Sequence, residues 1–153
     1  TPGPPAIFPS TARRLGSPSC APGPAPVVLG APASLAARRR AVLESVVFLL
    51  AANLDAMARH AAPPARLRLG GGLSRDPDLC RSLAAVSGRP VWQADDAEGT
   101  ARGLARLVAG RRARRWAPPA VRVWQPDPDP ALDGRRAAWR QALATALAGG
   151  PPG

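Results

Sequence analysis

Leu67-Arg68-Leu69-Gly70-Gly71-Gly72-Leu73-Ser74-Arg75-Asp76-Pro77-Asp78-Leu79-Cys80-Arg81-Ser82-Leu83 holds three local signals in a row. Leu67-Arg68-Leu69 alternates apolar and polar, as a short strand does. Three glycines then allow a sharp turn. Without Cβ atoms they also let the backbone lie close to a ligand. Asp76-Pro77 starts a helix, with Asp as N-cap and Pro at the first helical position. Leu79, Leu83 and Val86 form its inner stripe, and Gly88 ends it in the left-handed conformation. Strand, glycine turn and capped helix in this order serve either as a tight turn or as a ligand loop, and the turn is the commoner use. The segment is neither a Walker A loop, lacking GKS or GKT, nor a GxGxxG fingerprint.

The reading extends in both directions. Ser34 caps a helix running to His60, with Leu43, Val46, Val47, Leu50, Leu54 and Met57 at spacings of three and four. Asp55 and Arg59 are placed to pair, His60 falls in the last turn, and Pro63-Pro64 stop the helix. Pro90-Val91-Trp92-Gln93 reads as a second strand. Asp95, with Glu98 three residues on, reads as a capping box for a helix with inner face Ala101, Leu104, Ala105 and Val108. Gly110 ends that helix. Gly99 and Gly103 are costly inside it, by about 1 kcal/mol each relative to Ala, which predicts a strand or ligand in close approach. Asp129-Pro130 starts a last helix carrying Leu132, Trp139, Leu143 and Leu147 on one side. Residues 1–34 are rich in Pro and Gly, with one short strand candidate at Pro26–Gly30.

Strand and helix signals alternate, which predicts an α/β layer with parallel strands. Two strong strands are few for a stable sheet, so the sheet reads as incomplete. The organisation predicted is a Pro/Gly-rich remnant over 1–30, a core over 31–112, and a Pro-rich linker with a tail helix over 113–153. Both ends read as unanchored, as in a piece of a longer chain.

Composition narrows the chemistry. The 153 residues carry a net charge of +11, and every basic residue is Arg. With Ala, Pro and Gly also dominant, this reads as a GC-rich coding bias rather than a selected basic face. Aromatic residues make up 4%, too few for base-stacking platforms. The runs Arg38-Arg39-Arg40 and Arg111-Arg112-Ala113-Arg114-Arg115 leave a nucleic-acid binder as a minor alternative. One His, two Cys and no CxxC or HxxxH spacing argue against a metal centre, and no residue is assigned to a metal or to catalysis. The apolar run from Ala41 to Ala52 is shorter than the roughly 20 residues a bilayer needs. No membrane or nucleic-acid partner is expected, and reduced thiols make the cytoplasm the default setting.

Four segments in order resemble landmarks of the C-terminal domain of FGGY carbohydrate kinases, the group that includes glycerol and xylulose kinases. Leu15-Gly16-Ser17-Pro18 is similar to the family's Gly-Ser-Pro turn. Arg40-Ala41-Val42-Leu43-Glu44-Ser45 is similar to its Arg-Ala…Glu-Ser helix. Leu69 to Ala84, followed by Gly88, Pro90 and Val91, is similar to its glycine-pair segment. Glu98-Gly99-Thr100-Ala101-Arg102-Gly103 is similar to its Glu-Ala-Thr-Ala-Arg-Gly helix, and Trp139 fits the closing helix.

The resemblance covers about residues 13–147 and implies one ribonuclease H-like half of an actin-like ATPase, apparently incomplete. It implies an ATP-dependent kinase acting on a sugar or polyol hydroxyl, with this chain on the nucleotide side. Gly70, Gly71, Gly72, Ser74 and Asp76 are the implied nucleotide-binding residues, the glycines against the phosphates and Asp76 toward the ribose or adenine. Arg75 is a nearby candidate, and Glu98, Thr100 and Gly103 are expected to pack structurally. Mg²⁺ would be held mainly through the nucleotide and the N-terminal domain of the family. That domain also supplies the sugar contacts, the phosphate turn and the Asp general base, none of which this sequence carries. A homodimer of the full-length protein is the assembly the resemblance allows. Cys20, Arg81 and Gly70 depart from the family pattern, which keeps an inactive kinase-derived module as an alternative.

Overall fold

The computed structural model describes residues 34–95, 98–110 and 120–148, with the side chains of 146–148 excepted. The Pro26–Gly30 strand, the Gly-Ser-Pro turn and the Arg111–Arg115 run lie outside the described residues. Contacts group the chain into two compact units: residues 1–63 with 128–153, and residues 64–127. No helix among the described residues is long and apolar enough to cross a membrane.

The first unit contains α1 (Leu35–Met57) and a helix over Pro130–Ala148, labelled α4 below. Ser34 caps α1 as expected, its hydroxyl accepting from the Ala37 N–H at 3.2 Å. The buried face differs from the expected stripe. It is Ala41, Glu44, Ser45, Val47, Phe48 and Ala51, while Met57 is 63% exposed. Apolar residues lie nearly all round α1, so spacing alone does not single out a face. Its partners do. Phe48 meets Trp139 with ring centroids 5.8 Å apart. Glu44, 4% exposed, accepts from Arg135 Nε and Nη2, both at 2.8 Å, in a two-pronged ion pair. Asp55 turns to Arg136 and Arg140 rather than to Arg59. The helix ends at Met57, so His60 sits in the turn beyond it, its N–H bonded to the Met57 carbonyl. At the start of α4, Asp129 Oδ1 accepts from the Leu132 N–H at 3.0 Å. Leu132 and Trp139 are buried, as the spacing predicts. The Leu147 side chain lies outside the described residues.

The second unit is a three-stranded sheet with two helices. β1 (Leu67–Leu69) leads through a 3₁₀ turn over Gly72–Arg75 into α2 (Pro77–Ser87) and then β2 (Val91–Ala94). β1 and β2 are parallel, Leu67 opposite Val91 and Leu69 opposite Gln93. This is the crossover the sequence predicts. The inner stripe of α2 is buried at Leu79, Leu83 and Val86, joined by Cys80 and Ala84, and Gly88 sits at φ 63°.

Three expectations are corrected here. After α3 (Gly99–Ala109), the chain returns as β3 (Val121–Trp124), antiparallel to β2, so the sheet is mixed rather than parallel. Its four residues sit between two proline-rich stretches, too short a run for periodicity to register. Glu98 occupies the cap position of α3 but makes no side-chain capping bond, so no capping box forms there. The N–H of Asp95 instead bonds the Ala120 carbonyl at 2.8 Å, tying the end of β2 to the start of β3. Finally, α3 buries none of its residues, and a Cβ at Gly99 or Gly103 would meet nothing within 4 Å. Among the described residues no strand makes a close approach to either glycine.

Candidate functional site

The chain leaves β1 at its carboxyl end and passes through Gly70 into Gly71, which sits at φ 92°. This positive φ is strained for any residue with a Cβ. A Cβ built at Gly71 or Gly72 meets no atom within 4 Å, so the turn is open on that side. Its conformation is fixed from behind. The Ser74 hydroxyl donates to the Gly71 carbonyl at 2.7 Å, and the Ser74 N–H bonds the same oxygen at 3.2 Å.

Ser74 is buried, and its own carbonyl accepts twice: from Gln93 Nε2 at 2.7 Å and from the Cys80 thiol at 3.2 Å. The other end of the Gln93 amide accepts from Trp124 Nε1 at 2.9 Å. One chain of polar contacts thus joins β3, β2, the glycine turn and α2. It uses a donor and the acceptor of the Gln93 amide, so that side chain is oriented. The Cys80 thiol is pushed above its ordinary value, first by burial and then by the nearby Asp76 carboxylate, with Arg122 pulling the other way.

Asp76 sits at the mouth of α2, where its Oδ1 accepts from the N–H groups of Asp78 at 2.9 Å and Leu79 at 3.3 Å. The anion at this helix terminus is therefore the chain's own carboxylate.

Beside the turn lies a cleft of about 340 Å³, lined by Ser74, Arg75, Gln93, Ala94, Asp95, Ala120, Val121 and Arg122. It opens at the carboxyl ends of β1 and β2, the side of a parallel strand pair on which α/β folds place ligands. Of the five residues predicted from sequence, only Ser74 borders it, together with the nearby candidate Arg75. Gly70, Gly71, Gly72 and Asp76 lie along the turn. Gln93 and Arg122 were not singled out, because their place depends on β3. Among the described residues no group of three His, Cys, Asp or Glu side chains could hold a metal ion.

A family model described as the C-terminal domain of the FGGY family of carbohydrate kinases matches residues 4–110. A glycerol kinase of Koribacter versatilis (strain Ellin345) is 36% identical over 110 residues, 71% of this chain and 21% of that protein. The chain therefore spans about a fifth of the length of that curated relative. Two solved structures share the fold. Plasmodium falciparum glycerol kinase with ADP gives a TM-score of 0.72 at 17% identity, over 94% of this chain and 31% of that one. A xylulose kinase from Brucella ovis gives 0.74 at 23% identity, over 96% and 33%. The mixed α/β arrangement of small sheet and four helices is thus an incomplete half of the actin-like ATPase fold.

Proposed function

The chain belongs to the FGGY family of carbohydrate kinases, whose C-terminal domain it represents, and on that premise we propose that it forms the nucleotide side of an ATP-dependent transfer to a sugar or polyol hydroxyl. The observation that carries this reading is the open glycine turn, at positive φ at Gly71 and braced from behind by Ser74. The phosphates of ATP lie along the backbone of Gly70, Gly71 and Gly72. Asp76 already satisfies the first amides of α2, so the mouth of that helix suits a hydroxyl or amino donor better than another anion. Ribose or adenine therefore faces Asp76. Ser74 acts by holding the turn in shape.

Phosphoryl transfer depends on positioning and on stabilising charge. Mg²⁺, carried by the nucleotide, supplies part of that stabilisation. Asp76 and Asp129 cap helices, and Asp78 pairs with Arg81 at 2.9 Å, so each of these three carboxylates has structural work. The 153-residue chain on its own binds nucleotide and does not transfer phosphate, the proton from the acceptor hydroxyl being taken by the companion domain.

Calorimetry with ATP and Mg²⁺ tests the reading. Gly72 has no positive φ, and a Cβ there would meet nothing within 4 Å among the described residues, so the turn should accommodate Gly72→Val. The added side chain projects into the space assigned to the phosphates. Affinity should fall about tenfold or more, equivalent to at least about 1.4 kcal/mol. Wild-type chain that takes up no ATP, or equal affinity in the variant, removes the nucleotide from this turn.

A further inference from the structure

We propose that the 340 Å³ cleft at the ends of β1 and β2 is a separate binding site for a small phosphomonoester, held between Arg75 and Arg122. The inference does not rest on nucleotide binding at the glycine turn.

Arg122 is held in place before any ligand arrives. Its guanidinium lies 4.2 Å from the centre of the Trp124 ring. That indole is in turn fixed by its hydrogen bond to Gln93, and Gln93 by its bond to Ser74. The stacked guanidinium gives up little freedom on binding, and its N–H fork remains available at the rim. Arg75 borders the same cleft from the 3₁₀ turn. Among the described residues neither arginine forms a salt bridge. The lining therefore carries two guanidinium groups against one carboxylate, Asp95.

Two arginines bordering one cleft suit a dianion with three terminal oxygens; a single carboxylate would engage one guanidinium fork. The remaining lining gives the ligand a body. Ala94, Ala120 and Val121 offer a short apolar wall, and Asp95 can accept from a hydroxyl. The volume is near the lower end of small-molecule sites, which run from about 300 to 1,000 Å³. A phosphorylated polyol of a few carbons fits that description better than a nucleotide does.

Calorimetry with glycerol 3-phosphate, inorganic phosphate and ATP on the 153-residue chain tests this. Glycerol 3-phosphate should saturate one site and bind more tightly than inorganic phosphate. Arg122→Gln and Arg75→Gln should each weaken it about tenfold, while Arg68→Gln, on exposed β1 surface, leaves it unchanged. ATP affinity should be unchanged by Arg122→Gln and by Arg68→Gln. Arg75→Gln leaves the Trp124 stack intact, so loss of binding in that variant is independent of any packing change at Arg122. The proposal is overturned by absent saturation, by equal binding of inorganic phosphate, or by indifference to both arginine substitutions. It is also overturned if Arg122→Gln weakens ATP in parallel, since the cleft would then belong to the nucleotide site.

Discussion

Asp76 has two duties assigned to one side chain, and they separate under substitution. As the cap of α2 it satisfies two amides that would otherwise face solvent alone. Asp76→Ala should cost about 1 kcal/mol in urea unfolding, and Asp76→Asn should recover most of that. A nucleotide role predicts that Asn also lowers ATP affinity although the fold is restored; unchanged affinity would leave Asp76 a cap only. Cys80 makes a different prediction. Burial and the Asp76 carboxylate raise its pKa, so the folded thiol keeps its proton to higher pH than the unfolded one. Its stabilising contribution is complete below the ordinary thiol range and is lost as pH rises from there through the raised folded value. In a Cys20→Ser background, Cys80 should resist alkylation at pH 7 in the folded chain and react on unfolding. The unfolding midpoint should also fall more steeply above the thiol range than in Cys80→Ala. Rapid labelling of folded chain would contradict the burial. At this scale the caps were legible, because Ser34, Asp76 and Asp129 act within three residues of themselves. Gln93 was not, because Trp124, which orients it, lies 31 residues on, and Arg122 was not, because it sits with Trp124 on a strand too short for periodicity to register.

Among the elements, the α1–α4 pair depends most on a contact that periodicity does not reveal. A buried Glu44 reads on paper as a polar interruption of an apolar run. In the fold it is the partner of Arg135, and the pair settles which side of α1 faces inward. Arg135→Ala leaves the carboxylate, at a position 4% exposed, with only the solvent-exposed Arg40 at 3.6 Å as a partner, and should cost about 3 kcal/mol. The double variant Glu44→Leu with Arg135→Met should be much less damaged, since it removes both desolvated charges. Equal loss in single and double variants would show that packing, not the stranded charge, sets the cost. The β1–α2–β2 crossover shows the opposite case: alternation, glycine turn, cap and terminal glycine all point the same way, and the sequence was sufficient. For α3 the periodicity was sound, but the helix buries none of its residues. Spacing identifies an apolar face and is silent on what covers it.

Two opposed properties of the whole chain meet in solution. A net charge of +11 drives copies apart, and the exposed stripe of α3 draws them together. Leu104, Leu107 and Val108 are 63%, 81% and 83% exposed, at spacings of three and one along the helix. Repulsion among arginines weakens as the screening length shrinks, from about 10 Å at 0.1 M salt to about 3 Å at 1 M. The attraction between apolar faces does not weaken with it. Self-association by sedimentation velocity should therefore increase with salt. It should disappear in the triple variant Leu104→Gln, Leu107→Gln, Val108→Thr, which leaves the charge unchanged. Association with a nucleic acid would run the other way, since charge-driven binding is lost as salt rises. If self-association instead declines with salt, or survives the triple substitution, α3 is not the face responsible and the arginines must be mediating attraction rather than opposing it.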